Sequence, residues 1–344
     1  MLSPERSLRL RVDQEALAHN WRGLDTLSGM ATAGAAVKAN CYGLGVDTCV
    51  PTLRDAGCES FFVAHWSEVV ALAAHVAPRN IAVLHGPMHD DDVAYAKASG
   101  AVPVINSLAQ ARRWNGAAGG ACHLMIDTGI NRLGVAPSEL SDPAVQALNI
   151  DIVMSHLSSA DEETATNAKQ LQSFRECLPL INFKRASLCN SAGIALGRDY
   201  AFDLTRPGIA LYGGVPRHEL RGTIRQVAHV EVAVIQTRML NKGDTVGYNT
   251  QFVAPSPMPV GTVSLGYADG FLRSRGAGNA LLHEGMMLPI LGKVSMDMIV
   301  VDLSAAPGIN EGAWLQVPFD LPNAAQQSSL SQYELLTVLG SRWG

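Results

Sequence analysis

The chain has 344 residues, 47% of them hydrophobic and 17% charged, the composition of an ordinary soluble enzyme with two domains or one barrel plus an appendage. Its net charge of −5 supplies no field strong enough to recruit nucleic acid or an anionic membrane. None of the six cysteines stands in a CxxC pair, which argues against a disulfide framework and a zinc site and for a reducing compartment. The opening MLSPERSLRLRVD lacks the apolar segment of a signal peptide, and no apolar run is long enough for a bilayer. A cytoplasmic protein with no bound metal is expected.

Residues 15–27 have helical periodicity. From there, short apolar runs alternate with amphipathic stretches. The runs are 34–38, 60–64, 81–85, 101–105, 122–127, 151–156, 185–189 and 207–212, with helical patterns at 67–76, 91–99 and 164–178. Eight buried strands separated by helices predict a parallel (β/α)8 barrel of the TIM type. From about Gln226 the runs become rich in Val, Ile and Thr and are broken by turn signals such as Lys242-Gly243-Asp244 and Glu284-Gly285. That texture predicts a mainly antiparallel β domain. A polar loop is expected at 323–331 and a helix at 330–339. The expected division is therefore 1–225 and 226–344, with the first ten or so residues able to pack with the second domain.

Active sites of such barrels lie at the C-terminal ends of the strands. Lys38 closes the first run and Asp127 the fifth, with Arg132 just beyond. His156 closes the sixth, Asn190 and Ser191 follow the seventh, and Arg206 and Gly208 flank the start of the eighth. A lysine at the mouth of an apolar strand is partly desolvated, which lowers its pKa and lets a neutral amine form a Schiff base with an aldehyde. Ser191 and the backbone amides of Gly208 and Ile209 are suited to a phosphate. Aldehyde and phosphate together describe pyridoxal 5'-phosphate (PLP).

The segment AAVKANCYGLG resembles the PLP-lysine motif of the alanine racemases. MIDTGINRLGV, SHLSSAD, CNSAG, LTRPGIALYG, VGYNTQF, SLGYADG and GKVSMDM resemble that family's later motifs in the same order, from about Leu10 to about Ser341. The resemblance implies a PLP barrel followed by a β domain, and interconversion of L- and D-alanine, which feeds peptidoglycan. It implies that Lys38 carries PLP and is the base on one substrate face. Tyr248, delivered by the second subunit of a homodimer with shared sites, is the base on the other. Arg206 faces the pyridine nitrogen. Because a guanidinium stays protonated, the ring stays unprotonated and the cofactor is a weaker electron sink, which favours racemisation over transamination. Arg132 meets the substrate carboxylate. Tyr42, Ser191, Gly208 and Ile209 hold the phosphate, and His156 binds beside the cofactor ring and orients Tyr248. Tyr267 and Met296 line the substrate pocket across the dimer. Cys41 and Cys189 take positions where the family has small residues, so neither is read as a nucleophile.

Two departures stand out. Many family members have a carbamylated lysine two residues before the Asp of DTG, where this chain has Met125. Arg132 must then be oriented by something else, with Asn131, an anion or water as candidates. Some members also have a C-terminal tyrosine that narrows the pocket. Ser341 takes that place here, which opens an alternative preference for serine or a broad specificity. A PLP-homeostasis protein would lack the second domain and Tyr248. A decarboxylase on the related barrel would carry acidic residues in place of Arg206. A catalytically dead PLP binder is the remaining alternative.

Overall fold

The computed structural model describes residues 6–340 and 342–343; the position assigned to Ser341 lies outside the described residues. The chain divides into two compact units. One is Gln14–Arg225, and the other combines Met1–Asp13 with Gln226–Gly344.

In the first unit, seven parallel strands pair in sequence order. They are Ala35–Ala36, Phe61–Val63, Ile81–Val83, Val102–Ile105, Ala121–Met125, Asn149–Met154 and Phe183–Ser187. The eighth is Leu204–Thr205, parallel to Thr32–Ala33. It closes the ring. On one side Asp203 N donates to Ala186 O and Arg206 N to Cys189 O; on the other Gly34 N donates to Thr205 O and Ala36 N to Pro207 O, both at 2.8 Å. A (β/α)8-type barrel followed by an antiparallel β domain is thus the observed fold class.

The last strand lies earlier in the chain than its apolar run suggests. Residues 207–212 are expected to form it, but they fold into turns, with Leu211 N bonded to Gly208 O and Tyr212 N to Ile209 O. Pro207 has no N–H to give a ladder. The apolar run beyond it is buried in these turns and not in the sheet, with Ile209 through Tyr212 at most 1% exposed. Burial alone does not distinguish a buried strand from a buried turn.

The barrel interior is an apolar plug of Phe62, Ala82, Val104, Met125, Ile152, Met154 and Leu204. A larger core, including Leu124, Trp114 and Phe174, lies between strands and helices. The helix Gln14–Leu27 buries Ala16, Leu17, Asn20, Trp21 and Leu24, one face of a 3.6-residue period. The helix Ala165–Cys177 is capped by the Thr164 hydroxyl and buries Leu171, Phe174 and Cys177. All six cysteines are buried free thiols.

The second unit is antiparallel. Its long strand Ala228–Leu240 pairs with Leu8–Val12, Met258–Val263 and Trp314–Val317. Ile299–Asp302, Met286–Leu291 and Ala280–His283 complete the ring back to Trp314–Val317. The segment 323–331, expected to be a loop, is mostly helix. Leu321–Ser328 is helical, with Pro322 in its first turn and the Asp320 carboxylate accepting from Asn323 N. The next helix is Gln332–Thr337. Among the described residues no helix is long and apolar enough to cross a membrane.

One buried side chain ties the first helix to the end of the barrel segment. Asn20, fully buried, donates to Leu211 O at 3.1 Å and Arg225 O at 2.9 Å, and accepts from Arg225 N at 2.7 Å. Asn20→Ala strands three backbone groups. It should lower stability by about 2–4 kcal/mol, measured as a shift in the urea midpoint at unchanged m-value.

Candidate active site

The C-terminal mouth of the barrel gathers the residues that the sequence places at strand ends. The first strand leads through Val37 into Lys38, and the chain then does something rare for L-residues. Ala39, Asn40, Cys41 and Tyr42 all have left-handed backbones, with φ of 53°, 53°, 55° and 57°. Each such residue costs about 1–2 kcal/mol, so the turn persists only because its surroundings hold it. Gly43 N bonds to Ala39 O, Gly45 N to Asn40 O, and the Asn40 amide oxygen accepts from Val46 N at 2.9 Å. The Glu68 carboxylate accepts from Ala39 N at 2.5 Å.

The turn sends Tyr42 inward, buried and stacked on Tyr212 with ring centroids 4.8 Å apart. Its hydroxyl comes so close to Gly208 that a Cβ there would lie 2.2 Å from it. Glycine is therefore required at position 208. The Ser191 hydroxyl accepts from Gly208 N at 2.8 Å and Ala210 N at 3.2 Å, while Asn190 caps the short helix Ser191–Ile194 through Gly193 N. Gly208 N is thus engaged within the protein. Among the described residues, Ile209 N has no acceptor. Tyr42, Ser191, Gly208 and Ile209 form one small cradle with an open amide donor, which fits a phosphate.

Four cationic or potentially cationic groups surround this cradle. Arg206 is 7% exposed. Its guanidinium donates to the Ser187 hydroxyl and to the carbonyls of Ser155 and Leu188. Among the described residues it has no carboxylate partner. Burial pulls its pKa down to about 10, so it remains charged at neutral pH. Lys38 is half-buried, and its amine has no hydrogen bond among the described residues. Burial and then the charge of Arg132 hold it below the usual ammonium range, while Glu68 opposes them. His156, half-buried, has its pKa pushed down to about 3 by burial and by Arg206, Arg132 and Lys38, so it is a neutral imidazole.

Arg132 is exposed on a loop that folds around Asp127. The Asp127 carboxylate accepts from Gly129 N, Asn131 N and Arg132 N at 2.9, 3.1 and 3.0 Å. The backbone is therefore fixed, while the guanidinium makes no side-chain bond among the described residues, to Asn131 or to any other. Met125, in the carbamate position, is 7% exposed within the apolar plug.

The other named residues sit in the second unit. Tyr248 is carried by the hairpin of Thr245–Val246 and Phe252–Val253. Its ring is 67% exposed and unbonded among the described residues. Tyr267 and Met296 are brought together, since Tyr267 N bonds to Ser295 O and Ala268 N to Met296 O. Arg273 lies 5.3 Å from the Tyr267 ring centroid. Met296 is exposed.

Residues 12–216 match the family profile described as alanine racemase, N-terminal domain, and residues 227–344 the one described as alanine racemase, C-terminal domain. The chain belongs to the alanine racemase family. An alanine racemase of Methylobacterium nodulans is 39% identical over 97% of this chain and 94% of its own length. A catabolic alanine racemase of Agrobacterium fabrum is also 39% identical, over 97% and 90%. The solved alanine racemase of Bartonella henselae, with covalently bound pyridoxal phosphate, superposes with a TM-score of 0.91 at 33% identity, covering 99% of each chain.

The donor set of this alanine racemase family member fits PLP: a partly desolvated lysine whose proton affinity is lowered, a buried guanidinium with no carboxylate partner among the described residues, and a glycine-lined cradle. Glu68 escapes sequence reasoning. In HWSEVVAL it reads as a first-turn helix residue, and nothing local shows that it reaches Ala39.

The depressed His156 makes a stability prediction. A histidine with an ordinary value near 6.5 takes up a proton in the unfolded chain as pH falls below that value. The folded chain does not until about pH 3. Stability present above 6.5 is therefore lost between 6.5 and 3, at about 1.4 kcal/mol per pH unit for one proton. In cofactor-free protein, His156→Gln should flatten the fall of the urea midpoint between about pH 6 and pH 4. An unchanged slope would mean that this histidine titrates normally.

Proposed function

We propose that the chain interconverts L-alanine and D-alanine with PLP held on Lys38, using Lys38 and Tyr248 as bases on opposite faces of the substrate. The observation that carries this reading is Arg206, a buried guanidinium whose partners among the described residues are hydroxyl and carbonyl oxygens. PLP, when bound, draws electrons from the α-carbon of an attached amino acid and makes its proton acidic. Arg206 would donate to the pyridine nitrogen and, being charged, leave it no proton. Full electron withdrawal is then curtailed, and the proton returns to the α-carbon. The same residue disfavours a decarboxylase of related fold, which would need an acidic group there.

Lys38, its proton affinity lowered by burial and by Arg132, would take or return the α-proton on the D face. Tyr248, exposed on its own unit, would serve the L face of a partner subunit's site, with neutral His156 accepting from or orienting the phenol. Arg132 would bind the substrate carboxylate as a two-pronged donor. Tyr42, Ser191, Gly208 and Ile209 would hold the phosphate, and Tyr267 and Met296 would bound the small side chain of the substrate. In this reading 1–225 serves the cofactor and 226–344 contributes across a homodimer. The product supplies peptidoglycan synthesis in the cytoplasm, a compartment that suits six buried free thiols.

Protein loaded with PLP and incubated in D2O with L-alanine should lose its Cα–H NMR signal as the D-enantiomer accumulates. The same run with L-serine ranks the alternative specificity, since pockets discriminate a single methyl or hydroxyl difference only about 10–200-fold. No exchange with either, in protein shown to carry PLP on Lys38, would overturn the reading. The shared site has its own test. Mixed Lys38→Ala and Tyr248→Phe chains, each inactive alone, should regain about a quarter of wild-type activity after subunit exchange. Exchange without rescue would place both bases in one chain.

A further inference from the structure

Glu68 has no role in the mechanism above, yet its carboxylate accepts three backbone amides from two separate segments. One oxygen takes Ala39 N at 2.5 Å; the other takes Ala64 N at 2.8 Å and His65 N at 2.9 Å. Ala64 and His65 leave the strand Phe61–Val63, and Ala39 is the first residue after Lys38. A single side chain therefore fastens the peptide leaving Lys38 to the end of the neighbouring strand. No other acceptor for Ala39 N exists among the described residues.

The fastening matters because it sits at the entry to a strained turn. Residues 39–42 are all left-handed without a glycine among them, a conformation that untethered L-residues leave. The Asn40 side chain ties the turn forward to Val46 N, at the start of the next helix, and Glu68 ties its first residue, next to Lys38. A carboxylate accepting an amide makes a charge-assisted bond roughly twice as strong as a neutral one. The charge also reaches Lys38 directly, opposing burial and Arg132. Histidines flank it, His65 on the same loop and His85 on the next, with rings edge to face at 4.3 Å.

We infer that Glu68 is a positioning residue for the reaction: its carboxylate sets the start of the left-handed turn and so the direction in which the Lys38 amine points. The inference rests on Lys38 as the PLP lysine, and its test is separable from the racemase reading.

Glu68→Gln and Glu68→Ala proteins loaded with PLP would be compared with wild type by circular dichroism in the visible band of the bound cofactor. That signal depends on how rigidly Lys38 holds the chromophore. Glutamine keeps one acceptor oxygen and can satisfy one segment but not both. We expect roughly half or more of the induced signal to be lost and kcat to fall about 10- to 100-fold. KM for alanine should change by less than about threefold, because Arg132 hangs from Asp127 and not from this turn. Trp66→Phe is the matched control. It deletes the indole bond to Gly86 O at 2.9 Å on the same segment and should leave the dichroism intact. If Glu68→Ala does not fold, Glu68→Gln decides. Wild-type dichroism and kcat within about twofold of wild type in Glu68→Gln would overturn the inference, as would equal losses in Trp66→Phe. A wild-type protein that binds PLP but exchanges no α-proton would defeat the racemase reading, while the dichroism still decides on Glu68.

Discussion

The placement of Lys38 and Tyr42 at the mouth of the barrel depends on a backbone conformation that the chain would not choose by itself. Four successive residues after Lys38 turn the wrong way for L-amino acids, and this reversal lets Tyr42 descend onto Gly208 while Lys38 stays at the strand end. The local cost is met by Glu68 at the first residue of the turn, by the Asn40 side chain bonded to Val46 N, by Tyr212 packed against Tyr42, and by a glycine where the tyrosine hydroxyl needs space. Strain is tolerated here because the surroundings over-determine it, as is usual where chemistry demands a fixed geometry.

Electrostatics follow from the same arrangement. Lys38, Arg132 and Arg206 share a confined region with His156, and of the three cations Arg206 is the buried one. Mutual repulsion and burial keep the imidazole neutral and lower the proton affinity of the lysine, while the guanidinium of Arg206 keeps its charge. A region rich in positive charge, where Ile209 N has no acceptor among the described residues, has the electrostatics that suit anionic groups. That arrangement lowers stability, because a buried cation without a carboxylate is costly.

Much of this was legible in the sequence. Runs that end on polar residues place Lys38 and His156 at the same barrel face, because parallel strands share one direction; Arg206, expected at the start of the eighth run, reaches that face because the eighth strand is Leu204–Thr205 and ends just before it. Other features were not legible, for physical reasons. Residues 207–212 are as apolar as a strand, and only the missing N–H of Pro207 separates a buried turn from a ladder. The helix Leu321–Ser328 keeps helical spacing, but of the residues it buries, Leu321, Ala324 and Ser328, only Leu321 is large and apolar and it lies ahead of the segment 323–331, so within that segment no apolar stripe stands out. Nothing in KANCY announces a left-handed turn, since that conformation is imposed from outside by groups distant in the chain, Glu68 foremost. Tyr248 was found only through the likeness of VGYNTQF to a family motif. Its exposed ring has no hydrogen-bond partner among the described residues that would mark it as functional.

Met125 carries a further consequence. A lysine in its place can trap carbon dioxide as a carbamate, which ties the orientation of a substrate arginine to a dissolved gas. A thioether buried among Val104, Ile152 and Met154 cannot react with carbon dioxide. The loop bearing Arg132 is set instead by Asp127 and three backbone amides, bonds made once at folding. Position 125 of this chain therefore offers no group through which dissolved carbon dioxide could act on the loop bearing Arg132.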